Sequence, residues 1–501
     1  MAPGSRKIIA RAAAPGMQHC AGMKKTRKSV QALVWFRRDL RVTDHAALSD
    51  ALRVADRVHC VFLFDTEILD PLPPGDARVA FIWESVRELK AALAARGGGL
   101  HVLRGRAERE IPQLASRLGV ASVHAARDYE PAAVRRDAAV SARLARAGIA
   151  FRMRKDQVIF ELDEVRTRTG GWFSVFTPYR RQWLAVLSEQ DLRAHPVQGL
   201  RGHLAGQRGS PMPSLRSLGF RKVPLPLPPG MSGARKLWAA FRRRMPRYAR
   251  ERDFPALAAT SRLSVHLRFG TISIRSLVAA ARRSRSRGAE AWLAELIWRD
   301  FYFAILAARP DVVDHAFRRE YDRLEWTRDE RLWRAWRDGR TGYPIVDAGM
   351  RELAGQGTLH NRLRMVTASF FAKDLGLDWR RGERHFAARL LDYDLAANNG
   401  GWQWSASTGC DAQPWFRIFN PVLQSQKFDP DGRYILRWIP ELARIPRRYL
   451  HAPWEMPVDV QRAAGCLIGR DYPAPVVRHD EARRRTLERY AAARRPPRSR
   501  P

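Results

Sequence analysis

The stretch that decides the fold is residues 392–404, which read Asp-Tyr-Asp-Leu-Ala-Ala-Asn-Asn-Gly-Gly-Trp-Gln-Trp. Asn398, Asn399, Gly400 and Gly401 are expected to interrupt a helix with side-chain amides and a flexible backbone. Two glycines let a backbone approach a planar ligand closely, and an Asn amide can hydrogen-bond ring nitrogens. The stretch therefore fits the wall of a site for a large heteroaromatic cofactor. A helix end followed by core tryptophans is the alternative.

The length and composition of the chain favour a protein of two or three globular domains. It has 501 residues, more than one core usually holds, and 45% of them are hydrophobic. No apolar run approaches about 18 residues, so a membrane span is not expected. The four cysteines form no CxxC pair, which argues against a disulfide framework or a zinc site and favours the reducing cytoplasm.

The net charge is the strongest compositional signal. Lys and Arg number 89 against 51 Asp and Glu, which gives +38, and about +24 remains when residues 1–30 and 483–501 are set aside. A basic body favours a polyanionic partner such as nucleic acid. The alternative is the Arg-rich composition of a GC-rich genome. Residues 1–30 loosely resemble a transit peptide but lack an apolar segment, so we interpret them as a disordered basic extension or a misassigned start.

Residues 31–155 alternate apolar runs with amphipathic helical stretches. This alternation predicts an α/β domain with a doubly wound, parallel, Rossmann-like sheet. The turn after the first run, Trp-Phe-Arg-Arg-Asp-Leu-Arg at 35–41, is neither G-x-G-x-x-G nor a P-loop. The predicted strands are 32–36, 58–64, 100–103, 120–125 and 149–153, and the predicted helices are 79–95, 110–118 and 132–147.

The rest of the chain divides into three further segments. Pro, Gly and Ser accumulate in residues 156–235, which predicts a long connector. Strand signals fade in residues 236–475, where helical patterning and a high density of tryptophan predict an all-α domain. Residues 476–501 are predicted to be a basic C-terminal tail.

A hydroxyl-rich segment, Thr-Ser-Arg-Leu-Ser at 260–264, follows Tyr248 by twelve residues. Consecutive hydroxyls and backbone amides at a helix start can bind the oxygens of a diphosphate. An ordinary N-cap formed by Thr or Ser is the alternative, and the pentapeptide alone does not decide between them.

Glu295 and Trp298 lie three residues apart in a helical stretch and therefore share one face. A carboxyl buried beside aromatic surface has a raised pKa and could donate a hydrogen bond to a ligand. A surface glutamate and a core tryptophan are the alternative. The hexapeptide His-Asn-Arg-Leu-Arg-Met at 360–365 is equally compatible, by itself, with the polar face of an ordinary helix.

Taken together, several separate motifs resemble the photolyase/cryptochrome family. They are FTPY at 176–179, HNRLRMVTASF at 360–370, DWRRGERHF at 378–386 and WFRIFNP at 415–421, besides the stretch at 392–404. The resemblance extends over roughly residues 30–490. It implies an N-terminal α/β antenna domain and a helical domain that binds FAD and DNA.

The resemblance implies a non-covalently bound FAD that is reduced in the active form. Asn398 matches the residue that faces flavin N5, and Arg364 and Asp392 match an ion pair beside the flavin. An Asn suits a flavin kept as the reduced anion, because it neither donates a strong proton nor carries charge. The implied cofactor-binding residues are Tyr248, Thr260, Ser261, Arg262, Leu263, Ser264, Trp292, Arg364, Asp392, Tyr393, Asp394 and Asn398.

The resemblance also implies DNA containing cyclobutane pyrimidine dimers as the substrate. Asn361 and Met365 match class I enzymes, whereas six-four photolyases carry His at both positions. Arg362 would brace the gap left by a flipped-out dinucleotide. The implied DNA-binding residues are Arg252, Glu295, Trp298, Arg299, Tyr302, Asn361, Arg362, Leu363, Met365 and Trp404. The implied catalytic residues are Glu295, Asn398 and a tryptophan relay of Trp402, Trp379 and Trp326.

A second, antenna chromophore is left open by the sequence. Folate-binding relatives carry an Asn-Glu pair shortly after a Tyr-Glu, and here Tyr129-Glu130 is followed by Pro131, Ala132 and Ala133. The α/β domain could hold a folate, a deazaflavin, another flavin or nothing. The leading hypothesis is a monomeric, light-driven DNA repair lyase. A cryptochrome-like photoreceptor without repair activity and a flavin-free nucleic-acid-binding protein are the alternatives.

Overall fold

The apolar runs near the amino end form a parallel sheet in a computed structural model, which describes residues 29–200, 202–206 and 211–495. The strand order is β3-β2-β1-β4-β5, and every pairing is parallel. The strands are β1 Gln31–Phe36, β2 Arg57–Asp65, β3 His101–Gly105, β4 Ser122–Ala126 and β5 Ala150–Arg154. The helices between them are α1 Ala46–Val54, α2 Thr66–Leu69, α3 Ala77–Ala94, α4 Ala107–Leu118 and α5 Pro131–Arg146.

After its first residue, the sequence of strand β1 is apolar throughout because the strand is buried on both faces. Val34 and Phe36 pack in the core that contains α1 and α3, whereas Leu33 and Trp35 pack in the core that contains α4 and α5. A central parallel strand is covered by helices on both faces, so successive residues are buried on opposite sides. The doubly wound fold predicted from the sequence is thereby confirmed.

The connector at 156–235 has more regular structure than its composition predicts. It contains helix α6, Phe176–Val186, and a two-residue strand β6, His203–Leu204. Strand β6 pairs in parallel with Arg57 and Val58 at the start of β2, so the connector adds a short strand to the sheet. Gly202 permits this approach, because a Cβ there would lie 2.3 Å from the Ala55 carbonyl oxygen.

The remainder of the described chain is helical, as the fading strand signals predict. A π-helical segment, Phe370–Asp374, links two of its helices. The α-helices are α7 Gly230–Arg242, α8 Tyr248–Glu251, α9 Ser264–Arg268, α10 Ile274–Arg283, α11 Arg287–Ala308, α12 Glu330–Arg337, α13 Pro344–Gln356, α14 Asn361–Ser369, α15 Trp379–Arg389, α16 Leu395–Ser405, α17 Pro421–Phe428, α18 Arg433–Trp438, α19 Val458–Ala463 and α20 His479–Arg494.

Helix α16 corrects the expectation that residues 398–401 interrupt a helix. Both asparagines and both glycines lie inside α16, whose N-cap is Asp394. The absence of a side chain at Gly400 has a tertiary reason: a Cβ there would lie 2.2 Å from the ring of Tyr302 on α11. Gly400 therefore serves close helix packing, and the local propensity of glycine to break helices is overridden.

Buried arginines from the turn after β1 join the sheet to the helical part of the chain. Arg41 and Arg275 each donate to the Asp156 carboxylate at 2.7 Å. Although burial opposes ionisation, the two guanidinium groups hold the pKa of Asp156 far below its usual range. Arg38 of the same turn forms an ion pair with Asp394 at the start of α16. The unusual motif at 35–41 is thus a set of contacts between the two parts of the fold.

Further sequence-based predictions concern the two ends of the chain, a membrane span and the domain limits. The predicted extension 1–30 lies almost entirely outside the described residues. Most of the predicted tail at 476–501 is helix α20, in which Thr486 and Tyr490 are buried, and residues 496–501 lie outside the described residues. Across the described ranges, no helix has the length and apolar character needed to cross a membrane. The predicted domain limits stay predictions.

Candidate functional site

Helix α11 carries the first group of predicted site residues on its accessible face. The indole of Trp298 stacks on Phe176 of the FTPY motif, with 3.7 Å between ring centroids and 8° between the planes. This stacking fixes the indole plane and covers one face of it. Tyr302 continues the same face and packs against Gly400 of α16.

Glu295 differs from its expected environment. The sequence predicts a carboxyl buried against aromatic surface that donates a hydrogen bond, but Glu295 accepts one from Arg252 at 2.7 Å. The two side chains are 28% and 23% exposed, so the pair is partly screened by solvent. The arrangement leaves the second carboxylate oxygen of Glu295 available to a ligand.

Helix α14 carries the second group of predicted site residues. The His360 side chain caps the helix by accepting from the backbone N–H of Arg362 at 3.2 Å. Asn361 is exposed and Met365 is half-buried, so both can reach a ligand. Leu363 is fully buried in the core, and that position does not favour the DNA contact predicted for it.

Two adjacent residues connect α11 with α14. Arg252 binds Glu295 of α11, and its neighbour Asp253 accepts from Arg362 of α14 at 2.9 Å. The guanidinium of Arg362 also lies 4.3 Å from the ring centroid of Phe428. Asp253 was missed by the sequence analysis, although it follows Arg252 directly. These contacts hold the two groups of predicted DNA-binding residues at a fixed separation.

The polar groups predicted to hold a flavin lie on and beside α16. The expected ion pair is present: Arg364 donates to both carboxylate oxygens of Asp392 at 2.9 Å. Asn398 donates through Nδ2 to Glu383, which sequence reasoning missed and whose pKa is raised by burial. A Cβ added to Gly401 would meet no atom within 4 Å, so the backbone there faces open space.

Asp394 and Tyr393 complete this part of the site in different ways. The Asp394 carboxylate lies between Arg38 and Arg268, and these charges lower its pKa despite burial. Its side chain is therefore committed to ion pairs between the α/β and helical parts. Burial raises the pKa of the half-buried Tyr393, whose phenol stays neutral.

The segment at 260–264 offers hydroxyl and backbone groups and little else. Leu263 and Trp292 are buried in one core cluster with Tyr248, so their side chains pack beneath the segment in the protein interior and do not face a ligand. Thr260 and Ser261 are half-buried, and Arg262 and Ser264 are exposed. Arg262 has φ of 54°, a left-handed conformation that a non-glycine residue adopts only under local constraint. Helix α9 begins at Ser264, as the sequence predicts.

The three tryptophans of the predicted relay lie in or against one hydrophobic cluster. A Cβ on Gly382 would lie 2.1 Å from Trp402, so the Trp402 indole rests on α15, the helix that begins with Trp379. Thr327 and Leu377 form a β-bridge, which places Trp326 beside the approach to α15. The indole N–H groups of all three tryptophans are buried and have no hydrogen-bond partner among the described residues.

A second run of indoles leads away from Trp402 and was missed by the sequence analysis. Trp336 lies edge-on to Trp402 with 6.0 Å between ring centroids, and Trp333 lies 5.8 Å from Trp336. Trp336 is fully buried and donates its N–H to the Thr367 carbonyl at 3.0 Å. Their spacing of three residues in α12 was a usable signal, because it places both rings on one face of the helix.

Two other predicted DNA-binding residues have less favourable positions. Arg299 donates to the Gln157 carbonyl and its guanidinium lies 4.6 Å from the Phe303 ring centroid, so it points into the protein. Trp404 is half-buried near the end of α16. Their predicted roles stay predictions, and the interior hydrogen bond of Arg299 argues against a DNA contact.

Comparison with known proteins agrees with this arrangement. Residues 292–492 match the model of the FAD binding domain of DNA photolyase, and residues 32–198 match the DNA photolyase model. A deoxyribodipyrimidine photo-lyase of Vibrio cholerae is 40% identical over 92% of this chain and 99% of its own length. The corresponding Escherichia coli protein is 37% identical over 92% and 98%. The chain belongs to the DNA photolyase family.

Solved structures of the photolyase family share the whole fold. A bacterial class III photolyase from Agrobacterium tumefaciens superposes with a TM-score of 0.85 and 36% identity, over 94% of this chain and 99% of that one. An archaeal photolyase from Sulfolobus tokodaii, described with two FAD molecules, gives 0.76 and 33% over 92% and 100%. The helical part of this photolyase-family chain, 292–492, is therefore a FAD-binding domain.

Proposed function

We propose that the protein is a light-dependent lyase that splits cyclobutane pyrimidine dimers in DNA with bound, reduced FAD. The observation that carries the proposal is that α16 packs against both α11 and α14. The residues of α16 that are predicted to bind the flavin consequently lie between the two helices that carry the predicted DNA-binding residues. Family membership and the names of the relatives support the same activity.

The described residues fit an isoalloxazine and its diphosphate tail. Asn398 presents Oδ1 as an acceptor, because its Nδ2 is held by Glu383. The Arg364–Asp392 pair supplies a fixed positive and negative charge beside it. The hydroxyls of Thr260 and Ser261 suit a diphosphate. When bound and reduced, FAD supplies the photoexcited electron that opens the dimer.

The dimer-binding part of the proposal rests on α11 and α14. Trp298, rigid against Phe176, offers one ring face on which the bases of an extruded dinucleotide can stack. Glu295 offers an acceptor to a base edge, and Asn361 with Met365 lines the opposite side. Arg362, held by Asp253, is placed to brace the duplex where the dinucleotide leaves it. The class I substrate assignment rests on Asn361 and Met365 alone.

The second chromophore stays open within the proposal. Glu130, the second residue of the Tyr129-Glu130 pair, is bound by Arg38 at 3.0 Å and by Arg268 at 2.5 Å. Its carboxylate is thus engaged in the contact between the two parts of the fold. The candidates are a folate, a deazaflavin and another flavin, and the two FAD molecules named for the Sulfolobus protein give the last a precedent. Cytoplasmic location and a monomeric state are likewise retained as proposals.

One experiment tests the proposed activity directly. The purified protein should show the visible absorption of a flavin and, once the flavin is reduced, remove dimers from ultraviolet-irradiated DNA only under blue or near-ultraviolet light. A dark incubation and a six-four photoproduct substrate are the controls. Bound flavin with no light-dependent loss of either lesion would favour the photoreceptor alternative. A preparation that cannot be reconstituted with FAD would overturn the proposal.

A further inference from the structure

A group of exposed arginines surrounds the amino end of α11, outside the site described above. They lie at the end of α7, in the turn and short helix that follow it, and at the start of α11. We call this set the arginine ridge, and its members are Arg242, Arg243, Arg247, Arg250, Arg285 and Arg287.

The members of the ridge lie close together in the structure, although they come from different parts of the sequence. A Cβ on Gly288 would lie 2.0 Å from the Met245 carbonyl oxygen and 2.5 Å from that of Pro246. The first turn of α11 therefore rests directly on the 3-10 turn Met245–Arg247. This contact brings Arg287 of α11 beside Arg247, and the α7 residues continue the positive surface.

The charge of the ridge is largely uncompensated. Among the described residues, Arg247 is the one member with an ion pair, to Glu251 at 2.8 Å. By contrast, three arginines of the candidate site, Arg252, Arg362 and Arg364, each bind a carboxylate. Exposed like charges held together repel one another, so such a surface suits a polyanion. A solvated face of an Arg-rich protein is the alternative.

The ridge is aligned with the candidate DNA site along one helix. Arg287, Ala291, Glu295, Trp298 and Tyr302 follow at spacings of four, four, three and four, which keeps them on one accessible face of α11. With a rise of 1.5 Å per residue, Arg287 lies about 12 Å from Glu295 along the axis. Nucleotides of one strand are spaced about 3.4 Å along a duplex, so this is the distance of roughly three to four nucleotides.

We propose that the arginine ridge binds the phosphates of duplex DNA on one side of the lesion, roughly three to four nucleotides outside it. The inference rests on the proposed function, because it takes Glu295 and Trp298 as the place of the dimer. Its ligand is the sugar-phosphate backbone, so the contact is independent of sequence and sensitive to salt. It would make the footprint of the protein on DNA longer on the α11 side.

The test compares two triple variants of equal charge. The ridge variant is Arg243→Ser, Arg285→Ser and Arg287→Ser. The control variant is Arg135→Ser, Arg143→Ser and Arg146→Ser on α5; these three arginines are also exposed, and they form no ion pair among the described residues. Binding is measured across a salt series with two dimer-containing substrates: a duplex of about 30 base pairs and a hairpin-capped duplex with about two base pairs on each side of the dimer.

The ridge variant should bind the long duplex at least about tenfold more weakly at low salt, with its log–log salt slope reduced by roughly two to three. It should bind the short hairpin like the parent, and the control variant should match the parent on both substrates. Equal weakening by both variants, or equal weakening on both substrates, would overturn the proposal. Weaker binding to heparin or RNA with unchanged affinity for the long duplex would also do so. Light-dependent repair of the short hairpin by the parent reports separately on the proposed function.

Discussion

The Nδ2 atom of Asn398 donates hydrogen bonds to the Glu383 carboxylate at 2.8 Å and to the Glu383 carbonyl at 3.1 Å. Both acceptors belong to one residue, so the amide has one preferred orientation and Oδ1 points away from Glu383. Burial raises the pKa of Glu383, and even a neutral carboxyl keeps a carbonyl oxygen for this bond. Glu383 therefore orients the residue that is predicted to face the flavin.

The first prediction concerns Glu383. Glu383→Ala removes the side-chain acceptor and leaves only the backbone carbonyl of residue 383 to orient the Asn398 amide, so FAD affinity should fall about tenfold, the size expected for one lost buried hydrogen bond. Glu383→Gln keeps an acceptor oxygen and should bind FAD close to the parent level. Titration of the apoprotein with FAD, followed by flavin fluorescence, measures both. Equal affinity in the two variants would show that Glu383 does not orient Asn398.

The second prediction concerns the electron relay. Trp326→Phe keeps most of the apolar volume but introduces a ring that is far harder to oxidise, so photoreduction of oxidised FAD should be lost. Repair by chemically reduced protein should persist, because the proposed dimer site beside Trp298 does not depend on Trp326. The rate of bleaching at the oxidised flavin band under illumination and dimer repair in dithionite-reduced samples measure the two effects.

The indole pair Trp336 and Trp333 supplies the control for that prediction. Trp333→Phe should leave photoreduction unchanged if electrons travel through Trp379 and Trp326. Photoreduction that survives in Trp326→Phe and disappears when Trp333→Phe is added would place the path through Trp336 instead, whose ring is 6.0 Å from Trp402. Survival in the double variant would remove both surface tryptophans from the relay.

The third prediction concerns lesion recognition. Trp298→Ala removes the ring that is stacked on Phe176, and the loss of base stacking should weaken binding to dimer-containing DNA by about 1–3 kcal/mol. Binding to undamaged duplex should change little, and photoreduction should be retained. Arg362→Ala should likewise lower the ratio of damaged to undamaged affinity. The two dissociation constants, measured at one salt concentration, give this ratio; an equal loss on both DNAs would make these residues general DNA contacts.

The parallel sheet was readable from the sequence because burial on both faces leaves near-continuous apolar runs at the strands. The helical geometry around residue 400 could not be predicted from the sequence. Position 400 of α16 requires a glycine because Tyr302, almost a hundred residues earlier, occupies the space that a side chain would need. Glu383 and Asp253 were missed for a related reason: each acts through a partner on another element, and local patterns carry no record of such pairs.

The motif at 35–41 is a second case in which long-range contacts were not predicted from the sequence. The sequence excluded a nucleotide fingerprint there but gave its arginines no role. Arg38 binds Asp394, 356 positions along the chain, and Arg41 shares Asp156 with Arg275. Charge complementarity of that kind depends on the finished fold, whereas the Arg364–Asp392 pair could be expected because the family resemblance named both partners.

The last prediction concerns Lys373, which is fully buried in the π-helical segment with the Arg417 carbonyl as its acceptor at 3.0 Å. Burial lowers the pKa of this amine to about 7 from the usual 10.5. Between pH 7 and 9 the unfolded chain therefore holds a proton that the folded chain has released, so the free energy of unfolding should rise with pH. The contribution of this one group is about 2 kcal/mol over that window.

Lys373→Met should remove this contribution, since Met fills a similar volume without charge. The variant should be more stable than the parent at pH 7, and the advantage should shrink by pH 9; the neighbouring Asp374 keeps its partner His479 at 2.6 Å in both proteins. Lys236→Met, at an exposed position, is the matched control and should shift stability little and equally at both pH values. Urea denaturation at pH 7 and pH 9 gives the difference. An advantage of Lys373→Met that is the same at both pH values would mean that the folded lysine keeps its proton throughout, and that burial at this site does not lower its pKa.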